Sequence, residues 1–480
     1  MGESPCEYGK FSFAQDGLKH AFGSSLRLDD SSELQIAEFV VVSIRMRLTR
    51  TFILAFAACL AVPEAIAQEQ ERSGAIQAAT EATVLIKTHL KHGFLEDDQA
   101  TGRWEGSGFL FNKDKGWILT NAHVAGFGPV GLRLKFEGQD KFSEAKRLYL
   151  DSKHDVAVLE IDPSVIPDES KPLELDCTYD LVRGDSVFSV GHPQDQDFTA
   201  SLGVLSGEKD FHVDGSFYTT DLVTESGSSG GPVIAEKSNK VVGMMTSGFT
   251  SSDLGFLTKA KDICRITALL EAGQNPARPR YGFQTMIVDS KLSHYVGAIF
   301  DDTLDLRIGD EILSWNGNLW YPDDDGDLAD AMRGYEQGRV QLGLLRDGSE
   351  VLTDVPVYKG KSYHERDWVF VSGLLITEDG KSDAAFGMGN TDEPVLIIES
   401  IDFDFDDAVD IEFGSGSEIL RVDDLDGTDL RGLYTYLQSL PEDAEIDVVG
   451  RVYDWSPEAY SSLMRYSFKV EKLGCSWCEE

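Results

Sequence analysis

The segment Ser226–Ile234 reads Ser-Gly-Ser-Ser-Gly-Gly-Pro-Val-Ile, a turn of small residues that leads directly into an apolar strand. A nucleophilic serine needs such a tight turn, because Gly227 and Gly230 let the backbone come close to a substrate. Ser229 is therefore the candidate nucleophile, and the backbone N–H groups of Gly227 and Ser229 are the candidate oxyanion hole. Taken alone, the segment is also compatible with an ordinary Gly/Ser turn, so the assignment of a nucleophile depends on a base and an acid elsewhere in the sequence.

Two other residues at strand ends complete a catalytic set. The apolar strand Trp117–Thr120 runs into His123, and Asp155 immediately precedes the apolar run Val156–Leu159, which places its carboxylate at the mouth of a buried strand. We predict that Ser229 attacks, that His123 takes and returns the proton, and that Asp155 orients the imidazole and stabilises its cationic form.

Other side chains compete for these roles. His154 is expected on the same strand as Asp155 and pointing away from it, while His89, His92 and His212 belong to no motif. We interpret each as a surface or packing residue. No cluster of His, Cys, Asp or Glu has metal-ligand spacing, and a serine triad needs no cofactor.

The elements around these residues are β-rich from Thr83 to about Ala260, with short apolar segments separated by Gly, Asp and Ser clusters. This pattern predicts an all-β barrel or sandwich. A helix-like stretch over Asp262–Ala272 follows, and the polar, proline-containing residues 273–280 mark a domain boundary.

A weak internal repeat follows that boundary. Gly309–Leu313 (GDEIL) recurs as Gly416–Leu420 (GSEIL), and each copy is followed by a helical stretch and then a strand. The repeat predicts two related modules after the barrel. The second is lengthened by a Gly-rich and acidic insertion near residues 377–393.

Composition limits the classes of function. The 480-residue chain carries 43 Lys and Arg residues against 83 Asp and Glu residues, a formal net charge of −40, with 41% hydrophobic and 26% charged residues. These proportions are typical of soluble protein and argue against disorder or a polytopic membrane protein. A broadly acidic surface repels phosphate backbones, so nucleic acid is not expected as a partner.

An apolar run, Phe52–Val62, follows two arginines and precedes Ala65-Ile66-Ala67, a small-x-small cleavage pattern. Because a membrane span needs about 20 apolar residues, we predict an export signal and no integral membrane span in the mature chain. Met46 is then the expected start, residues 1–45 an upstream extension and Gln68 the first mature residue. The expected location is the periplasm, with secretion as the alternative.

Cysteines fit an oxidising compartment. The expected mature chain contains Cys177, Cys264, Cys475 and Cys478, an even number compatible with two disulfides whose pairing the sequence leaves open. Cys475 and Cys478 form a CxxC motif with only two residues after it, so we expect a local cross-link rather than redox catalysis. Cys59 is a minor alternative as a lipid-attachment site.

The order His123, Asp155, Ser229, with gaps of 32 and 74 residues, resembles chymotrypsin-fold serine peptidases. The motifs TNAHV, HDVAVLEID and GSSGGPV resemble those of the HtrA/Deg family, and Gly191-His192-Pro193 resembles its Gly-x-Pro turn. The resemblance covers roughly residues 78–470. The family more often has Asn where Ser228 stands, a departure that removes no catalytic group.

This resemblance implies an all-β-dominated chain, in which a chymotrypsin-like double β-barrel precedes two PDZ-like α+β modules. It also implies an ATP-independent endopeptidase that cuts unfolded or damaged proteins. The expected organisation is an upstream extension (1–45), a signal peptide (46–67), a peptidase domain (68–272), a linker (273–280), PDZ-like modules (281–360 and 368–472) and a CxxC tail (473–480).

The resemblance also suggests a specificity pocket. In this fold the residue six positions before the nucleophile forms the pocket floor, which is Val223 here, and the wall strand would be Thr246-Ser247-Gly248. With no acid at the floor, a small or medium apolar residue before the scissile bond is expected rather than Lys or Arg. Loops that shape the pocket differently are the alternative.

In a PDZ domain, a Gly-containing loop binds a peptide carboxylate beside a strand edge. Tyr281-Gly282-Phe283 is the candidate loop of the first module, and Ser372-Gly373-Leu374 is a weaker match in the second. Structural packing is the competing interpretation.

HtrA-like proteins are commonly trimers, so the resemblance implies a homo-oligomer. The alternative function is a catalytically latent chaperone or scaffold that binds peptides through these modules.

Overall fold

The computed structural model describes residues 69–478 except 96, 98–100, 194–195, 211–215, 249–253, 289–292, 300, 302, 320–327, 336–337, 381–393, 403–413, 428, 442–443 and 454–460. The predicted upstream extension, export signal, mature start and Cys59 lie outside these residues, as does His212. The chain divides into two compact units, Met1–Glu71 and Arg72–Glu480. The description below concerns the second unit.

The first barrel is closed, with neighbouring strands in the order β1-β2-β3-β6-β5-β4. Its two shortest strands, β3 and β6, are almost entirely apolar, so they form where both faces of a strand are covered. Within this unit, helical residues 72–82 (α1) precede the barrel. Its elements are β1 (Thr83–Leu90), β2 (Gly102–Asn112), β3 (Trp117–Thr120), α2 (Ala122–Ala125), β4 (Val130–Phe136), β5 (Ser143–Asp151) and β6 (Val156–Glu160).

The second barrel is also closed, in the order β10-β11-β12-β9-β8-β7. A disulfide between Cys177 and Cys264 ties the segment before this barrel to the helix after it. Its elements are β7 (Ser186–Gly191), β8 (Thr199–Asp210), β9 (Ser216–Thr220), β10 (Pro232–Ala235), β11 (Lys240–Gly248), β12 (Gly255–Lys259) and α3 (Ala260–Glu271).

One hydrophobic core joins the two barrels. Phe109 and Leu119 from the first barrel pack in the same buried cluster as Phe188 and Ile234 from the second, with Ile263 of α3. All five side chains are nearly inaccessible to solvent. Because this shared core holds the barrels against each other, loops from both barrels meet at one place.

The first module after the barrels is a sheet in the order β13-β14-β15-β17-β18, with β16 paired to β15. Its own core contains Phe283, Val296 and Leu328. The repeated Gly-Asp-Glu-Ile-Leu segment forms the start of β15. The elements are β13 (Phe283–Val288), β14 (Ser293–Ile299), β15 (Glu311–Trp315), β16 (Asn318–Leu319), α4 (Leu328–Ala331), β17 (Gly338–Arg346) and β18 (Ser349–Val357).

The second module is a sheet in the order β25-β24-β22-β21-β20-β19-β26, with β23 paired to β22. The carboxylate of Asp429 caps its helix by accepting from the Gly432 N–H at 2.9 Å. The elements are β19 (Trp368–Val371), β20 (Leu374–Gly380), β21 (Pro394–Ile401), β22 (Ser417–Val422), β23 (Leu425–Asp426), α5 (Leu430–Ser439), β24 (Glu445–Tyr453), β25 (Ser461–Lys469) and β26 (Gly474–Cys475).

The CxxC segment belongs to this second sheet. Cys475 pairs with Val369 of β19 and forms a disulfide with Cys478. The residues predicted as a separate CxxC tail therefore supply the edge strand β26 of the second module.

The fold-class prediction is confirmed: the chain is dominated by strands, with the two closed six-stranded barrels of a chymotrypsin-like domain and two further sheets that agree with PDZ-like modules. Within the described ranges, no helix combines the length and the apolar character that a membrane crossing requires.

Candidate active site

His123 lies on α2, a single helical turn directly after β3. The neighbouring Asn121 is fully buried, and its side-chain amide donates to the backbone carbonyl of Asp155 at 2.9 Å. This bond ties the end of β3 to the turn before β6, while the His123 side chain remains 44% exposed. The imidazole is thus anchored on one side and open to solvent on the other.

Asp155 occupies the turn between β5 and β6 and has a positive φ of 52°. Its carboxylate accepts from the His123 backbone N–H at 3.0 Å, from Nδ1 of the His123 ring at 2.8 Å, and from the hydroxyl of Thr246. The ring contact assigns the proton to Nδ1 and leaves Nε2 as the basic nitrogen. This is the arrangement that general-base catalysis by an imidazole requires.

The turn around Ser229 depends on glycine. Gly227 and Gly230 have φ values of 96° and 87°, and a Cβ at Gly230 would lie 2.0 Å from the Ser107 carbonyl oxygen. An L-residue would therefore be strained by its backbone and excluded by its neighbour. The Ser107 N–H in turn donates to the Ser229 carbonyl at 2.7 Å, which ties the turn to the first barrel.

Two backbone donors in this turn are available. Among the residues that the structure describes, none accepts a hydrogen bond from the N–H of Gly227 or from that of Ser229. The Ser228 N–H, between them, donates to the Glu225 carbonyl at 2.9 Å. Free N–H groups beside a nucleophile are the donors that an oxyanion hole needs.

Thr246 connects the nucleophile to the acid. Its hydroxyl donates to Asp155, and its backbone carbonyl accepts the hydroxyl hydrogen of Ser229 at 2.7 Å. The sequence predicts Thr246 in a pocket wall, and its position on β11 explains why it can also contact both catalytic candidates. Ser247 and Gly248 follow on β11 and pair with Phe256 and Gly255 of β12.

Ser107 is a site residue that no motif in the sequence indicates. Its buried hydroxyl donates to the Gly227 carbonyl at 2.7 Å and accepts from the His192 N–H at 3.1 Å. It therefore links the nucleophile turn to the Gly-His-Pro turn. The available sequence signal is the Gly106-Ser107-Gly108 run, a hydroxyl between two glycines. In the structure, a Cβ at either glycine would meet neighbouring side chains.

The other histidines named in the sequence analysis lie in different surroundings. Burial lowers the pKa of His192 to about 4, so its neutral Nδ1 accepts from the Phe198 N–H at 3.2 Å. His92 stacks on Phe370 with ring centroids 3.8 Å apart, and burial lowers its pKa as well. His89 is exposed. His154 lies in the turn before β6 rather than on the strand, and it is buried.

A cavity of about 300 Å³ lies beside the nucleophile turn. Val223, the predicted pocket floor, lines it together with Ser228, while the residues from Thr246 to Gly248 do not. Glu225 also lines this cavity and adds an acid beside the apolar floor that the sequence predicts. The cavity therefore combines apolar and acidic groups.

The predicted carboxylate loop of the first module lies where β13 begins. The rings of Tyr281 and Phe283 are 4.5 Å apart and are buried in the module core, so only backbone groups can face a ligand. The Gly282 carbonyl accepts from the Asp301 N–H at 3.0 Å. β13 is an end strand of its sheet.

The described residues contain no group of three or more His, Cys, Asp or Glu side chains placed to hold a metal ion.

Comparison with known proteins identifies the barrel region. Residues 106–244 match the family model of the trypsin-like peptidase domain. A probable periplasmic DegP-like serine endoprotease of Ectopseudomonas mendocina is 28% identical over 269 residues, which cover 51% of this chain and 54% of that protein. The chloroplastic Protease Do-like 1 of Arabidopsis thaliana is 32% identical over 190 residues, covering 37% of this chain and 42% of that protein.

The chain thus matches about half the length of these curated relatives. Among solved structures, the serine endoprotease from Yersinia pestis has 22% identity and a TM-score of 0.46 over 60% of this chain and 97% of its own. The HtrA-type protease AlgW with decapeptide has 20% identity and a TM-score of 0.47 over 60% and 98%. The names of the two curated relatives, a DegP-like and a Do-like protease, confirm the predicted resemblance to HtrA/Deg serine proteases.

Proposed function

We propose that this chain, whose residues 106–244 match the trypsin-like peptidase domain, is an exported ATP-independent serine endopeptidase of HtrA/Deg type that cleaves unfolded or damaged proteins. One observation carries the proposal. His123 donates through Nδ1 to Asp155, and Thr246 links Asp155 to Ser229. This set joins a base, its orienting acid and a hydroxyl nucleophile in one place.

In the proposed reaction, Nε2 of His123 accepts the hydroxyl proton as Ser229 Oγ attacks the substrate carbonyl carbon. The N–H groups of Gly227 and Ser229 donate to the oxyanion that forms. The imidazolium, stabilised by Asp155, then gives its proton to the leaving amine as the C–N bond breaks. Water attacks the acyl-enzyme by the same route and restores the Ser229 hydroxyl.

Specificity for a small or medium apolar residue before the scissile bond remains our proposal for the cavity at Val223. The side chain of Val223 is 54% exposed and offers an apolar surface. Glu225 in the same cavity sets the competing expectation, a preference for Lys or Arg. Cleavage-site sequences decide between them.

We assign peptide binding to the PDZ-like modules, with unfolded proteins and peptide C-termini as ligands. The support is the position of β13 at the end of its sheet, beside the Tyr281-Gly282-Phe283 segment, because an extended peptide adds to an end strand in β-augmentation. A homo-oligomer, trimeric or a multiple of trimers, is part of the same proposal. Mass measurement of the mature chain at micromolar concentration tests it, and a strict monomer would contradict it.

The periplasm is the proposed location. The support is the apolar run at Phe52–Val62 together with the word periplasmic in the names of several relatives. Secretion is the alternative, and fractionation of cells that express the full chain separates the two.

The second candidate is a latent peptidase that acts as a chaperone or scaffold. One observation favours it: the Ser229 hydroxyl lies 2.7 Å from the Thr246 carbonyl, and a hydroxyl that donates its one hydrogen there cannot donate the same hydrogen to an imidazole. Such a serine must rotate before His123 can take its proton. A bound peptide or substrate would have to induce this change.

The test is incubation of casein, an unfolded protein, with the chain starting at Gln68 and with its Ser229→Ala variant. Fragment termini are read by mass spectrometry. Cleavage by the parent alone supports the triad, and fragment ends after small apolar residues support the pocket proposal, whereas ends after Lys or Arg favour a role for Glu225. If neither protein cuts, even with C-terminal peptides added, the latent alternative replaces the proposed function.

A further inference from the structure

A cluster of charged side chains is buried between the peptidase domain and the first module. Their exposed fractions are 3% for Asp151, 7% for His154, 3% for Asp262, 0% for Asp330 and 1% for Arg333. The first three residues belong to the peptidase domain, and the other two lie on α4 and just after it. Buried charges are costly unless they are paired, so this contact requires both domains to be in place.

Arg333 is the centre of the cluster. Its guanidinium pairs with Asp330 at 2.5 Å and reaches across the domain boundary to Asp151 at 2.6 Å. It also donates to the Tyr149 hydroxyl at 3.1 Å and to the Pro276 carbonyl at 2.8 Å. One side chain of the first module thus binds the end of β5 and the linker together.

His154 is the second link between the domains. Its Nε2 lies 3.3 Å from Asp330, and its Nδ1 lies 3.9 Å from Asp262 of α3. Burial by itself lowers the pKa of His154, but the carboxylates of Asp330, Asp151 and Asp262 outweigh burial and raise it. A protonated His154 balances the cluster, because three carboxylates then face the cations His154, Arg333 and, 3.4 Å from Asp330, Arg278.

The cluster is directly attached to the catalytic acid. Asp151 ends β5, and its carboxylate accepts from the His154 N–H at 2.9 Å. The next residue is Asp155, whose positive φ persists only where its surroundings constrain it. The His154 carbonyl is held as well, by the Thr258 hydroxyl at 3.0 Å. The turn that presents Asp155 to His123 is therefore attached to the first module on one side and to the second barrel on the other.

We propose that Arg333 and His154 are positioning residues of the triad, through which the first module holds the turn that presents Asp155 to His123. The inference rests on the proposed function of this site and adds a requirement: the peptidase domain needs the first module for the geometry of its acid. Neither residue contacts the substrate in this proposal, since both act through the backbone of the turn.

Replacing Arg333 by Met removes the cation and leaves Asp151 and Asp330 buried without it. The turn must then rearrange to hydrate these carboxylates, and Asp155 moves with it. A misplacement of about 1 Å by a distant change can cost about a hundredfold in rate, so a loss of turnover of roughly 10- to 100-fold is expected. KM should change little, because the substrate cavity is not touched.

The experiment uses the full mature chain. Initial rates of casein cleavage are measured for the parent, Arg333→Met and the control Arg307→Met, which removes an exposed pair with Asp347 in the same module. In a Ser229→Ala background, the low-field proton resonance of the His123–Asp155 hydrogen bond is recorded for each. The expected result is a fall in kcat and a shifted or lost resonance for Arg333→Met alone.

An unchanged kcat and resonance, with only a lower Tm, would overturn the proposal and leave Arg333 a structural residue. If Arg333→Met does not fold, Arg333→Lys replaces it, since Lys keeps the charge but cannot reach both carboxylates and the Pro276 carbonyl. A several-fold fall in kcat is then expected for Arg333→Lys, and an unchanged kcat would refute the proposal. A parent that cleaves nothing contradicts the proposed function, while the proton resonance still reports on positioning.

Discussion

Ser107→Ala tests whether the nucleophile turn is held by the first barrel. The hydroxyl of Ser107 is buried on β2 and bridges two turns, donating to the Gly227 carbonyl and accepting from the His192 N–H. Alanine preserves the strand and the packing volume but removes both bonds. Because Gly227 also carries a proposed oxyanion donor, the same change should reduce both stability and rate.

The magnitude follows from these two contacts. Each buried group left without a partner costs about 1–3 kcal/mol, and two groups lose theirs, so the free energy of unfolding should fall by roughly 2–6 kcal/mol. Loss of an oxyanion donor costs about 10²–10³ in kcat. Ser107 only supports the loop that carries the donor, so a fall in kcat of about 10- to 100-fold is expected, with little change in KM.

The assay is casein hydrolysis at several substrate concentrations, paired with urea unfolding of the same samples. Ser170→Ala is the matched control, because Ser170 is buried in the same domain and its hydroxyl makes one bond to the Glu81 carbonyl at 2.5 Å. The control should lose about 1 kcal/mol and keep its kcat. A Ser107→Ala variant that is destabilised but keeps the parent kcat would refute the argument that this hydroxyl holds the oxyanion turn.

Thr246→Val removes a hydrogen bond to the Asp155 carboxylate, worth about 2 kcal/mol, and should lower kcat/KM roughly tenfold, as peptide-hydrolysis kinetics will show. Loss of the Cys177–Cys264 bridge, which spans 87 residues, should lower the free energy of unfolding by about 4 kcal/mol in urea, measured on the double serine variant. The folded-state pKa of His154 is raised above 6.5, so the stability that its protonation contributes is complete below about pH 6.5 and declines as pH rises through the raised value. A series of Tm measurements across pH should show this decline in the parent and lack it in His154→Gln.

The local parts of the site were predictable from sequence. The nucleophile turn, the strand that runs into His123 and the apolar strand after Asp155 each have a pattern within a few residues. The structure has a strand or turn at each of these places, and it brings His123 and Asp155 within 2.8 Å. The two-module tail was likewise visible, because the repeated Gly-x-Glu-Ile-Leu segment starts a strand in each sheet.

What the sequence did not give are contacts between residues far apart in the chain. Ser107 and Gly227 are separated by 120 positions, and nothing near Ser107 specifies which carbonyl its hydroxyl will meet. The disulfide pairing was open for the same reason. The prediction that His154 lies on the strand was wrong. Asp155 has a positive φ, so β6 begins only at Val156, and His154 lies in the turn with its side chain buried.

His154 and Asp155 show why adjacent residues can carry separate tasks. In a regular strand their side chains would alternate between faces, and neither would be constrained by the other. In the observed turn, the Asp155 carboxylate faces the His123 imidazole, while the His154 ring faces Asp330 of the first module. A displacement of that module is therefore expected to move the residue next to the proposed catalytic acid, so in this proposal the geometry of the triad and the docking of the module depend on the same few bonds.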